Sequence, residues 1–136
     1  MKNNLFVIDT NNLISAFLFE YSTPKLAYDK VNRIGKLSAS VETLDEFSDV
    51  FIRAKFDRYI SFDKRLKVIN EFSEIAVLHK ITETITDCRD SKDNKFLELA
   101  VAANASCIIS GDKDLLILHP FRGIPILNAA GFLKEF

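Results

Sequence analysis

The sequence predicts an α/β protein, a parallel sheet with helices on both faces, and three observations carry that expectation. Short apolar runs alternate with amphipathic helical patterns from one end of the chain to the other. The run Leu5-Phe6-Val7-Ile8 is continuously apolar with β-branched members, as strands buried on both faces are. That run closes on Asp9, and a second, Cys107-Ile108-Ile109-Ser110, leads into Gly111-Asp112. Two strands thus deliver carboxylates to one rim, the crevice at the carboxyl ends of the strands where open α/β sheets bind ligands. An ionised Asp at a strand end costs desolvation, which such a polar crevice makes tolerable.

The elements follow in order. After Asp9, Leu13 to Phe19 reads as a helix on the sheet, with Thr10 or Asn11 as its N-cap. Ser22-Thr23-Pro24 starts a second helix by a hydroxyl cap and Pro at the first helical position. Gly35 stops it, and Leu26, Ala27, Val31 and Ile34 form its apolar stripe. Leu37 to Ser40 is a short strand, after which Ser40 caps a helix from Val41 to about Arg53. There Leu44, Phe47, Val50 and Phe51 share one face, and Glu46 borders it beside Val50 and Thr43. Ser61 caps a further helix, Phe62 to about Ser73, with Leu66, Ile69 and Phe72 inward. The two helices form a hairpin. Ile75 to Leu78 is the next strand, and Ile81 to Ser91 a polar connection. Asp93 to Asn104 is a helix by propensity and pattern, with Asp93 in its first turn near the middle of its apolar arc. The strand Cys107 to Ser110 and the apolar stretch Leu115 to Leu118 follow. Ile124-Pro125-Ile126-Leu127 is an edge strand because Pro125 cannot donate to a ladder, and a short helix begins at Ala129.

Composition bounds what this fold can belong to. At 136 residues the chain suits one domain, residues 1–136, burying roughly two-thirds of its unfolded surface. It is 48% hydrophobic with 12 Phe, a packed protein and not a disordered tail. The net charge of −1 argues against a strongly basic nucleic-acid binder, so such a partner needs a local patch or a metal. Cys88 and Cys107 do not look like a disulfide framework. With no long apolar stretch, and with Met1-Lys2-Asn3-Asn4 running straight into the first strand, a cytoplasmic protein with no membrane contact is expected.

Four acids therefore have directions: Asp9, Glu46, Asp93 and Asp112, with Asp114 a fifth candidate. Each has an innocent reading. Asp9 could bond to the next helix, Asp112 could sit in a Gly-Asp turn, Asp93 could complete a capping arrangement with Asp90, and Glu46 could be a surface residue. Gathered in one place, however, like charges about 4 Å apart repel by roughly 4 kcal/mol at an effective dielectric near 20. A cation inside relieves that, and oxygen ligands favour Mg2+ or Mn2+. Zinc has poor support, since His79 and His119 are isolated. Carboxylate-held Mg2+ works typically on phosphates, and phosphodiester hydrolysis fits. No G-x-G-x-x-G follows the first strand and no P-loop pattern is present, which disfavours nucleotide binding. A dehalogenase-like phosphatase needs a second Asp where Asn11 stands. A receiver-like signalling domain with an acidic Mg2+ pocket is the alternative reading, but it calls for an Asp after the third strand, where Leu78 is followed by His79-Lys80.

Val7-Ile8-Asp9-Thr10-Asn11, Glu46, Asp90-Ser91-Lys92-Asp93-Asn94-Lys95-Phe96-Leu97-Glu98-Leu99-Ala100 and Ser110-Gly111-Asp112-Lys113-Asp114-Leu115-Leu116 resemble, in that order, the PIN-domain ribonucleases. The nearest subgroup comprises the VapC-related toxins of toxin–antitoxin systems. The resemblance implies a three-layer αβα, Rossmann-like arrangement around about five parallel strands, a homodimer, an antitoxin partner and Mg2+- or Mn2+-dependent cleavage of RNA. It implies metal-coordinating, catalytic acids at Asp9, Glu46, Asp93 and Asp112, with Asp114 auxiliary. Thr10, Asn11 and Ser110 match supporting polar residues that bond to those carboxylates. Three positions depart from the pattern: Asn12 for an aliphatic residue, Ser110 for Thr, and Lys92 where many members carry an acid.

Lys92 and Lys113, beside the acids, are the expected phosphate contacts, with Arg89 and Lys95 nearby. Arg53, Lys55, Arg58, Lys64, Arg65 and Lys67 on the hairpin are either further contacts or solvated helix faces. Phe47, Phe51, Phe56, Phe62 and Phe72 crowd one segment, and an apolar surplus there suggests the dimer surface.

Overall fold

The computed structural model describes residues 4–136; the leaderless start expected at residues 1–3 lies outside the described residues. Five strands form the expected parallel sheet: β1 (Leu5–Ile8), β2 (Lys36–Ala39), β3 (Val77–Leu78), β4 (Cys107–Ile109) and β5 (Ile126–Leu127). Their order is β3-β2-β1-β4-β5, every pair parallel. The strand order reverses between β1 and β4, the switch point at which doubly wound sheets open a crevice. Ile8 lies beside Ile109, and the Asp9 amide continues the ladder to the Ile109 carbonyl at 3.0 Å. β5 is an edge strand, as Pro125 requires.

The strand period of two sorts the core into two halves. Phe6, Ile8, Cys107 and Ile109 face one set of helices, whereas Val7 and Ile108 face the other. On the first side pack α1 (Thr10–Leu18), α2 (Thr23–Ile34), α3 (Val41–Phe51), α4 (Phe62–Ile75) and α7 (Ala129–Glu135). On the second lie α5 (Asn94–Ala103) and α6 (Lys113–Leu116) with Ile85, Cys88, Phe121 and Ile124. The result is the three-layer αβα arrangement.

Local chemistry sets most boundaries as expected. Ser22 caps α2 and Gly35 ends it. Ser40 and Thr43 form a reciprocal capping box on α3. Ser61 caps α4 and Asn128 caps α7. Gly35 is packed so closely that an added Cβ would stand 2.2 Å from the Asn4 carbonyl oxygen.

Other expectations are corrected. Asp9, not Thr10 or Asn11, caps α1, so that helix begins a turn earlier than its apolar residues do. Leu26 is exposed and Tyr28 is buried in its place. Ile75 ends α4, shortening β3 to two residues, and Leu115 and Leu116 belong to a short helix. The phenylalanine surplus is mostly core: Phe47, Phe51 and Phe72 are buried and pack ring on ring, and Phe56 is half-buried. Phe62 alone of the five is exposed, so the crowding gives the dimer no support.

The largest correction concerns the hairpin. Leu66 is exposed and Arg65 is fully buried, 0% accessible, on the inward face of α4. Its guanidinium donates from Nε to the Ile60 carbonyl at 3.1 Å and from Nη1 to those of Phe51 at 2.7 Å and Arg53 at 3.0 Å. Nη2 pairs with the Asp57 carboxylate. One buried cation thereby satisfies the last carbonyl of α3, where the helix dipole favours positive charge, and two carbonyls of the turn beyond it.

Candidate active site

At the carboxyl ends of β1 and β4, a pocket of about 330 Å³ is lined by Asp9, Glu46, Asp93 and Asp112. The four expected acids thus meet on one surface although they come from four elements. Thr10, Asn11 and Asp90 line it as well, as do Arg53, Lys55 and Lys92. Lys113 and Asp114 are not among the lining residues, and Asn11 is exposed on the pocket wall.

Asp9 is 5% exposed and held on every side. Its Oδ1 accepts from the Asn12 amide at 2.9 Å and from Asn12 Nδ2 at 3.1 Å, and its Oδ2 accepts from the Ser110 hydroxyl. Burial pushes its carboxyl above the ordinary range; the Ser110 and Asn12 hydrogen bonds oppose that, and the charge of Asp112 adds to it. The cap reading and the site reading of Asp9 therefore coexist, because one oxygen starts α1 while the buried carboxylate lines the pocket.

Ser110 links the two strand ends, since its hydroxyl also accepts from the Asp112 amide at 3.0 Å. Asp112 in turn caps α6, Oδ1 accepting from the Asp114 amide at 2.8 Å. Asp114 contributes its backbone there. Glu46 is fixed by the Thr10 hydroxyl, which donates to Oε1 at 2.5 Å, and by the Lys95 ammonium on Oε2.

Asp93 is different. Asp90 caps the 3-10 turn Ser91–Asp93, and the Asp93 side chain caps nothing. Among the described residues its Oδ2 is buried with no hydrogen-bond partner. Burial, and after it the charge of Asp112 and a hydrogen bond shared with that carboxyl, raise this carboxyl to about 7, with Asp90 and Asp9 adding smaller pushes. A buried carboxylate oxygen left unsatisfied beside two other acids fits a cation it is built to meet.

The donor set is all oxygen, which suits Mg2+ or Mn2+. Among the described residues, no three His, Cys, Asp or Glu side chains are arranged to hold a metal ion as they stand. One particular bears on that: Lys95 already neutralises Glu46. The charge and the orphaned oxygen fit a divalent cation all the same.

The PIN domain family model matches residues 6–114, most of the chain and all four acids. The chain belongs to the PIN domain family. This PIN domain is 34% identical over 117 residues to an uncharacterized protein of Methanocaldococcus jannaschii, an alignment covering 83% of this chain and 74% of that one. Two solved structures share its fold. One is VapBC2 from Rickettsia felis bound to a DNA fragment from the promoter, at a TM-score of 0.55, 12% identity and coverage of 91% of this chain and 97% of that one. The other is VapBC-1 from nontypeable Haemophilus influenzae, at 0.58, 15%, 93% and 98%.

Two residues of this PIN domain were not legible as site residues. Asn12 reads as a departure from the family pattern, yet its side chain orients Asp9; its i+3 spacing from a capping Asp was the available signal. Lys95 reads as a phosphate contact, yet it is bound to Glu46, and only the fold brings residues 49 positions apart together. Asn94 is buried and accepts the Cys88 amide at 2.8 Å, tying the polar connection to the start of α5.

Proposed function

We propose that this PIN domain is a Mg2+- or Mn2+-dependent endoribonuclease, the toxin of a toxin–antitoxin pair. The observation that carries the reading is the convergence of Asp9, Glu46, Asp93 and Asp112 on one pocket at the sheet's switch point. The VapBC complexes with the same fold support an antitoxin partner. Asp9, Glu46, Asp93 and Asp112 would hold the ion. When bound, such an ion orients a water and stabilises the leaving oxygen of a phosphodiester.

The chain's own residues do the positioning. Ser110 and Asn12 fix the Asp9 carboxylate and Thr10 fixes Glu46, so these two acids are oriented before a ligand arrives. Asp93, its carboxyl raised to about 7, would be one of the acids holding the ion, in its ionised form. Lys92 stands at the pocket to meet a phosphate; Lys113 is exposed outside the lining and would serve only a longer strand. We read residues 1–136 as one domain acting in the cytoplasm. Among the described residues no helix is long and apolar enough to cross a membrane. A homodimer belongs to the proposal through the resemblance alone, and a monomeric mass by light scattering would remove it.

The test is incubation of the purified protein with several RNA substrates, with Mn2+, with Mg2+ and with EDTA. Cleavage that needs the ion and vanishes in Asp9→Asn is expected. Intact RNA under every condition would refute the reading. No observation in the pocket favours the receiver-like alternative: beyond β3 stands His79, bonded to Ser38 at 3.0 Å, and no acid.

A further inference from the structure

The wall of the pocket formed by the turn after α3 carries positive charge. Arg53 and Lys55 line it there. Both are exposed, and among the described residues neither has a carboxylate within ion-pair distance. That is unusual for cations sharing a pocket with four acids, and the turn explains it. Its own acid, Asp57, is taken by Arg65, and the backbone from Phe51 to Ile60 is tied to the same guanidinium through three carbonyls. Arg53 sits inside that frame, since its carbonyl is one of the three. Lys55 lies with its ammonium 5.1 Å from the centre of the Phe56 ring, which also lines the pocket. Arg65 of α4 thus holds the backbone of the turn, and the two exposed cations keep their charge free for an incoming anion.

We propose that Arg53 and Lys55 bind the phosphate backbone of the substrate strand beside the reacting phosphodiester, with Arg65 as a positioning residue that holds the turn presenting them. The inference rests on the RNA-cleavage reading and names where that substrate lies. A strand crossing the acids needs neighbouring positive charge to offset its repulsion from them, and this chain, at −1 overall, has to supply it locally. Lys92 offers it on the α5 side, and Arg53 and Lys55 on the α3 side, so a strand is gripped on both flanks of the acids. Contacts of this kind fix register without reading sequence.

The test uses the full chain with Mn2+ and a fluorescently labelled single-stranded RNA, reading steady-state cleavage and, in parallel, binding by anisotropy over a range of salt. Arg53→Ala/Lys55→Ala, at two exposed positions, is expected to raise KM and Kd tenfold or more, with the loss falling on KM rather than kcat. The slope of log affinity against log salt should fall by about 1.4, roughly 0.7 for each single-strand phosphate contact. Arg65→Gln should raise KM as far as the double variant does, and should add nothing when combined with it, because it acts through the same two residues. Where Arg65→Gln does not fold, Arg65→Lys keeps the charge without the fork and takes its place. Unchanged KM, Kd and salt slope in the Arg53/Lys55 variant would overturn the phosphate contacts. Additive losses on combination would overturn the positioning role. Wild type that binds the labelled RNA through Arg53 and Lys55 yet never cleaves it would instead remove the functional reading and leave this surface standing.

Discussion

Asp93→Asn separates a cation site from a helix cap more sharply than any other single change. In the wild type, burial and then Asp112 lift the Asp93 carboxyl from 3.8 to about 7. A shift of that size corresponds to about 4 kcal/mol for a fully enclosed group, at about 1.4 kcal/mol per pH unit. Asp93 is partly open to solvent, and screening by water leaves about 1–2 kcal/mol. The sign follows from proton counting. Between pH 3.8 and 7 the folded protein holds a proton that the unfolded chain has lost, so stability falls as pH rises through that window, and the full penalty applies above it. Asparagine carries no charge and escapes the penalty. In EDTA the mutant should match the wild type near pH 4 and exceed it at pH 8 by roughly 3–10 °C in Tm, since about 1 kcal/mol moves a domain of this size by about 3–5 °C. Differential scanning fluorimetry across pH reads this directly. Mn2+ at pH 8 should then stabilise the wild type more than the mutant, through linkage to a site only the wild type holds intact. A mutant that is less stable in EDTA and equally responsive to Mn2+ would make Asp93 an ordinary first-turn acid and remove it from the pocket's chemistry.

Thr10→Val keeps the shape of a buried side chain and removes the hydroxyl that holds Glu46; cleavage should drop by about 10–100-fold with under about 1.5 kcal/mol lost in urea unfolding. Gly35→Ala should cost more than about 2 kcal/mol, because its Cβ meets the Asn4 backbone and the Phe6 ring, and a variant of wild-type urea midpoint would show that β1 and the end of α2 can part without loss. Arg65→Leu should lower the urea midpoint by the equivalent of about 3–5 kcal/mol, since three carbonyls and the Asp57 carboxylate lose their donor at once.

What could be read from the chain, and what could not, divides along physical lines. Strands β1 and β4 and the acids that end them were legible because a buried parallel strand has no polar face, so a carboxylate beside it stands out. Caps at Ser22, Ser40 and Ser61 were legible because their chemistry is local. Arg65 was not, since in the sequence the apolar wheel of α4 closes with Leu66. The spacing of 65, 68, 69 and 72 is itself a helical stripe, and only the prior against a buried guanidinium kept residue 65 off it. The ion pair of Glu46 with Lys95 had no local signal at all, because it joins α3 to α5 and exists only after both have packed on the sheet.

The hydroxyl of Ser110 on the Asp9 carboxylate joins positions 101 residues apart. During synthesis, β1 emerges first and waits with one flank of its ladder unpaired until β4 has been made. Asp9 has no Ser110 to orient it and no Asp112 beside it over that whole interval, so a partly made chain carries only fragments of the acidic pocket. The pocket is therefore completed by the closing of the central strand pair, late and all at once.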